Sequence, residues 1–136
     1  MAHSAQRPVE LILARGFMSS LGAPALLVDI GGDVVFFNDA AGDVLGLRFE
    51  QAATIGAEEW QRRITAYDDD GGPIRTEELP LMVALHQERP AYRRLRIRSA
   101  AGVERRLDVS AFPIGDGAGV RGAMAIFWDV TPPPRS

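Results

Sequence analysis

The sequence predicts a single α+β domain, in which an antiparallel sheet packs against short helices. Three observations indicate this class. Apolar and polar residues alternate through two segments near the end of the chain, as they do in strands with one buried face. Glycine-containing turns join strand-like segments into hairpins. Two further segments have apolar residues at helical spacing. The length of 136 residues is enough for one core without disulfides.

The first predicted element is an amphipathic helix that begins at Pro8. Residues 1–7, which include His3, are expected to be disordered. In "PVELILARGFM" the proline suits the first turn of a helix, and Gly22 and Pro24 end the element. The residues at helical spacing are Val9, Ile12, Leu13, Gly16 and Phe17.

A hairpin and a short helix are predicted next. In "ALLVDIGGDVVFFN" two apolar runs flank Gly31 and Gly32, which is typical of two strands joined by a tight turn. Asn38 then stands where an N-cap belongs, and Gly46 closes the short helix "NDAAGDVLG".

Residues 47–75 form the least regular part of the chain. We expect one helical turn around "AEEWQRRI" and a solvated loop at "DDDGGP". The acidic cluster Asp68, Asp69 and Asp70 lacks the layout of an EF-hand, so it does not predict a calcium site.

A second helix is predicted in "TEELPLMVALHQERP". Thr76 is expected to cap it, and Pro80 is tolerable because it falls in the first turn. Pro90 stops the helix. Its apolar face comprises Leu81, Leu85 and Met82.

Three strands complete the predicted sheet. "YRRLRIRS" and "VERRLDVSAF" alternate, with the turn "SAAGV" between them. Pro113 and the segment "IGDGAGVRG" predict a second turn, which has no helix N-terminus to hold a phosphate. The last strand, "GAMAIFWDVT", is apolar on both faces, so both faces need cover. Residues 132–136 are a proline-rich tail that cannot extend the sheet.

The composition excludes several kinds of chemistry. The chain has no cysteine, which removes disulfides, thiolate metal sites and flavin–thiol adducts. The net charge of −3 does not favour nucleic acid. We expect a soluble, cytoplasmic protein, because the chain shows no signal peptide and no long apolar run. All fifteen basic residues are arginine, which suggests a GC-rich bacterial genome.

The ordered set "LLVDIGGDVVFFNDAAGDVLG", "ELPLMVALHQERP", "LRIRSAAGVERRLDVSAFP" and "GAMAIFWDVT" resembles PAS sensory domains. The resemblance implies a PAS domain over residues 23–131, with a five-stranded antiparallel sheet and short helices that enclose a cavity on one face. The predicted helix, taken as residues 8–22, would cap the other face and form a homodimer there.

The resemblance also implies two groups of site residues. The ligand pocket is expected to contain Phe36, Leu45, Trp60, Leu81, Leu85, Leu95, Ile97, Leu107, Val109, Ala125 and Phe127. The helix-packing and dimer surface is expected to contain Val9, Ile12, Leu13, Phe17, Met124, Ile126 and Trp128.

From this resemblance we expect a stand-alone, non-catalytic module that binds a small apolar ligand and signals through a dimer or a separate effector protein. Neither nucleic acid nor membrane insertion is expected. No cofactor is required by the sequence. The alternating Arg94, Arg96 and Arg98 are expected to form ion pairs with Glu104 and Asp108 on the neighbouring strand.

Cofactor alternatives remain open. His86 lies near the end of the helix that holds the axial histidine in haem-binding PAS domains, so a haem sensor is one alternative. Trp60 and Trp128 could stack on flavin, although the chain lacks the signature "NCRFLQ" of flavin photoreceptors.

Two further alternatives concern the core. A ligand-free dimerisation or protein-interaction module would have its cavity filled by bulky side chains. An isomerase would need Asp29 or Asp108 inside the cavity with a raised pKa. The side chains that would fill the core are Phe36, Phe37, Leu45, Leu85, Phe112 and Phe127.

Overall fold

The structure is a computed structural model that describes residues 9–47 and 54–132. The predicted disordered start, residue 8 and the last four residues therefore lie outside the described part. A 3₁₀ turn at Thr76–Glu78 precedes the last helix. The elements are α1 (Val9–Ser19), β1 (Ala25–Asp29), β2 (Val34–Phe37), α2 (Asp39–Leu45), α3 (Ala57–Arg63), β3 (Thr65–Asp68), α4 (Pro80–Gln87), β4 (Ala91–Arg98), β5 (Glu104–Asp116) and β6 (Gly119–Asp129).

The sheet is antiparallel throughout, in the order β2-β1-β6-β5-β4-β3. It has six strands where five were expected. The additional strand, β3, lies in the segment predicted to be irregular and pairs with β4 from Thr65↔Arg98 to Asp68↔Leu95. Its four residues, "TAYD", show no strong apolar alternation, which is why the sequence did not predict the strand.

The hairpin and the first cap form as predicted. Asn38 is the N-cap of α2, and its side-chain oxygen accepts a hydrogen bond from the Ala41 amide. Gly46 ends α2 in the left-handed conformation, with φ of 73°. This conformation favours glycine because a side chain would strain it.

Two turn predictions were wrong. Thr76 does not cap α4, whose N-cap is Leu79, because residues 76–78 form a separate 3₁₀ turn. Pro113 does not begin a long turn, because β5 continues to Asp116 and β6 begins at Gly119. Past Ala111, β5 pairs with β6 alone, and proline is tolerated where one edge of a strand has no partner.

Two apolar cores occupy the opposite faces of the sheet. The larger, which we call the cavity-side core, is covered by α2, α3 and α4 and includes Val28, Phe37, Leu85 and Phe127. The smaller, the outer core, lies under α1 and includes Leu11, Met18, Leu27, Val35 and Phe36.

Helix α1 covers the outer face, but the helix face that packs differs from the predicted one. Leu11 and Met18 are buried against the sheet, whereas Val9, Leu13 and Phe17 are exposed. The side chain of Ile12 lies outside the described part of the chain. Leu11 packs over Gly122, where an added Cβ would come within 2.9 Å of the leucine Cδ2 and closer still to the Val28 carbonyl oxygen. None of the described helices is long and apolar enough to cross a membrane.

Candidate functional site

The candidate site is a cavity of about 270 Å³ between the sheet and the short helices. Strands β4, β5 and β6 form its floor, and α3, β3 and α4 form its walls. Its lining residues are Leu26, Val34, Leu45, Leu47, Trp60, Gln61, Ile64, Thr65, Ala66, Ile74, Thr76, Leu79, Pro80, Leu81, Leu95, Ile97, Leu107, Val109, Ala125 and Phe127.

Most residues expected in the pocket line this cavity, and two do not. Leu85 is buried in the cavity-side core without reaching the cavity wall. Phe36 was placed wrongly, because it belongs to the outer core. The lining residues that the sequence predicted are Leu45, Trp60, Leu81, Leu95, Ile97, Leu107, Val109, Ala125 and Phe127.

An irregularity in the first hairpin explains the position of Phe36. The pairing of β1 with β2 shifts between Leu27 and Val28, so that Val35 has no direct partner across the pair. Val35 and Phe36 consequently both lie in the outer core, while Val34 lines the cavity. Simple alternation counted along β2 cannot predict this, because a bulge changes which residues share a face.

Helix α3 is attached to the β1–β2 turn. The Trp60 indole Nε1 donates to the Gly32 carbonyl oxygen at 2.9 Å, and the Ala57 amide donates to Asp33 Oδ1 at 2.8 Å. Ile55 forms an isolated antiparallel bridge with Val34. None of the α3 residues is fully buried, so these attachments, together with the packing of Trp60 against the cavity-side core, hold one wall of the cavity in place.

The lining also contains residues that the sequence did not predict. Leu47, Ile64, Ala66, Ile74 and Leu79 all lie within or beside the segment that looked irregular. In the sequence they appear only as scattered apolar residues with no regular spacing. Since neither helical nor strand spacing was present, nothing in the sequence indicated that they would converge on one cavity.

The outer face carries exposed apolar side chains. On α1, Val9, Leu13 and Phe17 follow one another at intervals of four residues, and Leu13 is 69% exposed. Trp128 on β6 is 49% exposed, whereas Met124 and Ile126 on the same strand are half-buried against the outer core. Helix α1 therefore covers part of the predicted surface and leaves Trp128 open. Tyr92 and Phe112 are also exposed.

Two of the three arginines predicted to form ion pairs do so, whereas Arg96 lies opposite Arg106 and pairs with neither Glu104 nor Asp108. Arg94 forms a two-pronged pair with Asp108, with N–O distances of 2.7 and 3.1 Å, and Arg98 pairs with Glu104 at 2.9 Å. The hydrogen bond from Arg94 holds the pKa of the Asp108 carboxyl below its ordinary value. Tyr92 also donates to Asp108, and this bond raises the pKa of the tyrosine hydroxyl.

The residues required by the haem and isomerase alternatives lie outside the cavity. His86 is exposed in the last turn of α4 and does not line the cavity. Asp29 accepts hydrogen bonds from the Gly31 and Asp33 amides within its turn, and Asp108 belongs to the exposed ion pair. Among the residues that the structure describes, no cluster of three potential metal ligands occurs.

Comparisons with solved structures find a similar backbone fold in several PAS domains. The PAS domain of a Colwellia psychrerythraea protein is 19% identical, with a TM-score of 0.63 over 89% of this chain and 97% of that chain. The PAS domain of the fruit-fly ELK potassium channel is 16% identical, with a TM-score of 0.66 over 89% and 97%. That of nitrogen regulation protein NR(II) from Vibrio parahaemolyticus is 16% identical, with a TM-score of 0.61 over 87% and 98%. No protein-family model and no curated protein matches the chain.

Proposed function

We propose that this chain, which has the PAS fold, is a non-catalytic sensory module that binds a small, largely apolar molecule in its cavity. The observation that supports this function is the cavity of about 270 Å³ with mostly apolar walls. A concave, mostly apolar site with a few polar groups is the usual form of a small-molecule pocket. A ligand that removes these walls from water stabilises the folded state by about 25 cal/mol for each Å² of apolar surface it covers.

Strand β6 connects the cavity to the outer face. Ala125 and Phe127 line the cavity, while Met124 and Ile126, which alternate with them, pack in the outer core beneath α1. A ligand that changes how Phe127 packs therefore changes the surface on which α1 rests. The signal is a shift between two populations of α1 positions, and its size is limited by the difference in ligand affinity between them.

The output of the module is a contact made by α1 with a second copy of the chain. Val9, Leu13 and Phe17 form an exposed apolar stripe that runs the length of the helix. Exposed stripes of this kind mark interaction sites more often than free surfaces. Two copies of the stripe can pack against each other about a twofold axis, because the same residues meet in both directions. A separate effector protein would then recognise the dimer.

The alternative of a ligand-free dimerisation module rests on the same exposed stripe. It needs a filled core, and two of the side chains invoked to fill it, Phe36 and Phe112, lie away from the cavity.

Haem fits this chain poorly. Its proposed ligand, His86, is exposed outside the cavity, and about 270 Å³ is below the range of roughly 300–1,000 Å³ that holds drug-sized ligands.

The test compares ligand retention in two variants of β6. Ala125→Leu places a larger side chain in the cavity, and Met124→Leu is a volume-conserving control on the opposite face of the same strand. We expect native mass spectrometry of the purified protein to show a small-molecule adduct, or 1-octanol to raise the Tm. Either effect should be lost in Ala125→Leu and kept in Met124→Leu.

Two results would contradict the function. One is a wild-type protein with neither an adduct nor a rise in Tm with small apolar probes. The other is binding that Ala125→Leu leaves unchanged. If Ala125→Leu fails to fold, as judged by circular dichroism, the smaller change Ala125→Val makes the same comparison with less overpacking. A dimer without any ligand would favour the interaction-module alternative.

A further inference from the structure

We infer that the cavity selects a small neutral amphipathic molecule, with an apolar body and one uncharged hydrogen-bonding group that meets Gln61 at the cavity mouth. This inference rests on the proposed ligand-binding function of the cavity and adds the chemical class of the ligand. Its basis is the position and the type of the few polar groups in the lining.

The polar residues of the lining are more exposed than the apolar residues of the strands. They are Gln61 on α3, Thr65 at the start of β3 and Thr76 in the 3₁₀ turn. Thr65 and Thr76 are exposed and Gln61 is half-buried, so these residues lie where solvent reaches the cavity, at its mouth. The buried part of the lining is formed by apolar residues of β4, β5 and β6, such as Leu95, Leu107 and Phe127.

Trp60 is not available as a polar anchor. Its indole N–H, the one donor of that side chain, is already bonded to the Gly32 carbonyl oxygen. The tryptophan therefore offers only apolar ring surface to a ligand. In contrast, the Gln61 side-chain amide makes no hydrogen bond to any other residue that the structure describes. It is able both to donate and to accept.

The lining contains no charged side chain among the described residues. An amide and two hydroxyls can satisfy an alcohol, a phenol or an amide, but they supply no counter-charge to a carboxylate or an ammonium group. A charged group that binds at the mouth loses part of its hydration and gains no counter-charge from the lining, and this loss is costly. The size of the ligand follows from the volume: a cavity of about 150 Å³ holds benzene, so about 270 Å³ suits roughly ten non-hydrogen atoms.

The test uses four probes with the same eight-carbon chain: 1-octanol, 1-fluorooctane, octanoate and octylammonium. Trp60 lines the cavity and Trp128 lies on the outer face, so a Trp128→Phe background makes the fluorescence of Trp60 the reporter. At neutral pH we expect 1-octanol to bind at least about tenfold more tightly than either charged probe. Gln61→Leu should weaken 1-octanol about three- to tenfold, the effect of one hydrogen bond, and leave 1-fluorooctane unchanged.

Gln87→Leu is the matched control, because Gln87 is an exposed glutamine at the end of α4 and does not line the cavity. It should leave all four affinities unchanged. Octanoate or octylammonium binding as tightly as 1-octanol would overturn the neutral class while leaving the ligand-binding function intact. An unchanged 1-octanol affinity in Gln61→Leu would overturn the role of that amide. Failure of all four probes would overturn the ligand-binding function itself.

Discussion

The apolar residues on the two faces of the sheet are covered by helices in different ways. On the cavity side, short helices stand away from the strands and leave about 270 Å³ between them. On the outer side, α1 lies directly on the strands, with Leu11 only 1% exposed, but turns a second apolar stripe toward solvent. In the function proposed above, the first face binds a molecule inside the domain and the second binds a partner outside it.

The largest effect is expected where both faces meet, at Asn38. This buried side chain accepts from the Ala25 and Ala41 amides and donates to the Met18 and Ala23 carbonyl oxygens. It thereby joins α1, β1 and α2. Asn38→Ala leaves these groups without partners, and we expect a loss of about 3–4 kcal/mol in the free energy of unfolding, measured by urea denaturation.

Asn38→Asp is a second variant at this site. The carboxylate keeps both acceptor bonds, but it loses both donor bonds and places a buried charge beside the Met18 and Ala23 carbonyl oxygens, so Asn38→Asp should also be strongly destabilising at pH 7. Equal stability of Asn38→Ala and the wild type would show that the two faces are independent of this residue.

A smaller effect is expected from a matched pair on α1. Leu11→Ala removes a fully buried side chain and should lower the free energy of unfolding by about 2–3 kcal/mol. Leu13→Ala changes an exposed side chain and should alter it by less than about 0.5 kcal/mol in the monomer. Denaturation at low protein concentration measures both. A larger loss for Leu13→Ala would mean that the opposite face of the helix packs on the sheet.

The third prediction concerns the exposed stripe. Leu13→Glu combined with Phe17→Glu places charges where two copies would meet, and we expect the dimer dissociation constant to rise at least about tenfold. Analytical ultracentrifugation over a range of concentrations provides the measurement, with Tyr92→Ser as a control elsewhere on the outer face. Unchanged self-association in the double variant would exclude the α1 stripe as the dimer contact.

The smallest effect is expected from the ion pairs of β4 and β5. The pKa of Asp108 is lowered in the folded state, chiefly by the hydrogen bond from Arg94. The group therefore contributes stability above its unfolded pKa of about 3.9 and loses that contribution as the pH falls through the lower folded value. Asp108→Asn should be slightly less stable than the wild type at pH 7, with the difference vanishing at strongly acidic pH. A difference that grew on acidification would contradict this.

Local signals in the sequence predicted the parts of the fold that short-range chemistry determines. Asn38 and Gly46 cap α2 because a side-chain acceptor and a left-handed φ are needed there, and both needs depend on a few neighbouring residues. The alternation of β4 and β5 likewise indicated which residues face the cavity. Leu95 and Leu107 line it, while Arg94 and Asp108 pair in solvent.

The remaining features depend on contacts between distant segments. The sequence of α1 contains apolar residues on more than one face, and the face that includes Leu11 packs on strand residues far away in the sequence, among them Gly122. Phe36 moved to the outer core because a bulge in β2 changed the alternation. Strand β3 pairs with the edge of β4, about thirty residues further along the chain. None of these contacts leaves a periodic signal in the local sequence.

The marginal attachment of β3 has a consequence for the rate of ligand exchange. This strand is the edge of the sheet, has four residues and adjoins α3, which buries none of its residues. Segments with so few buried contacts open at a lower free energy than the whole domain. The wall of the cavity can therefore fray while β5 and β6 stay paired. If the cavity binds the ligand proposed above, ligand entry and release should follow the opening rate of this wall, which amide hydrogen exchange in β3 would report directly.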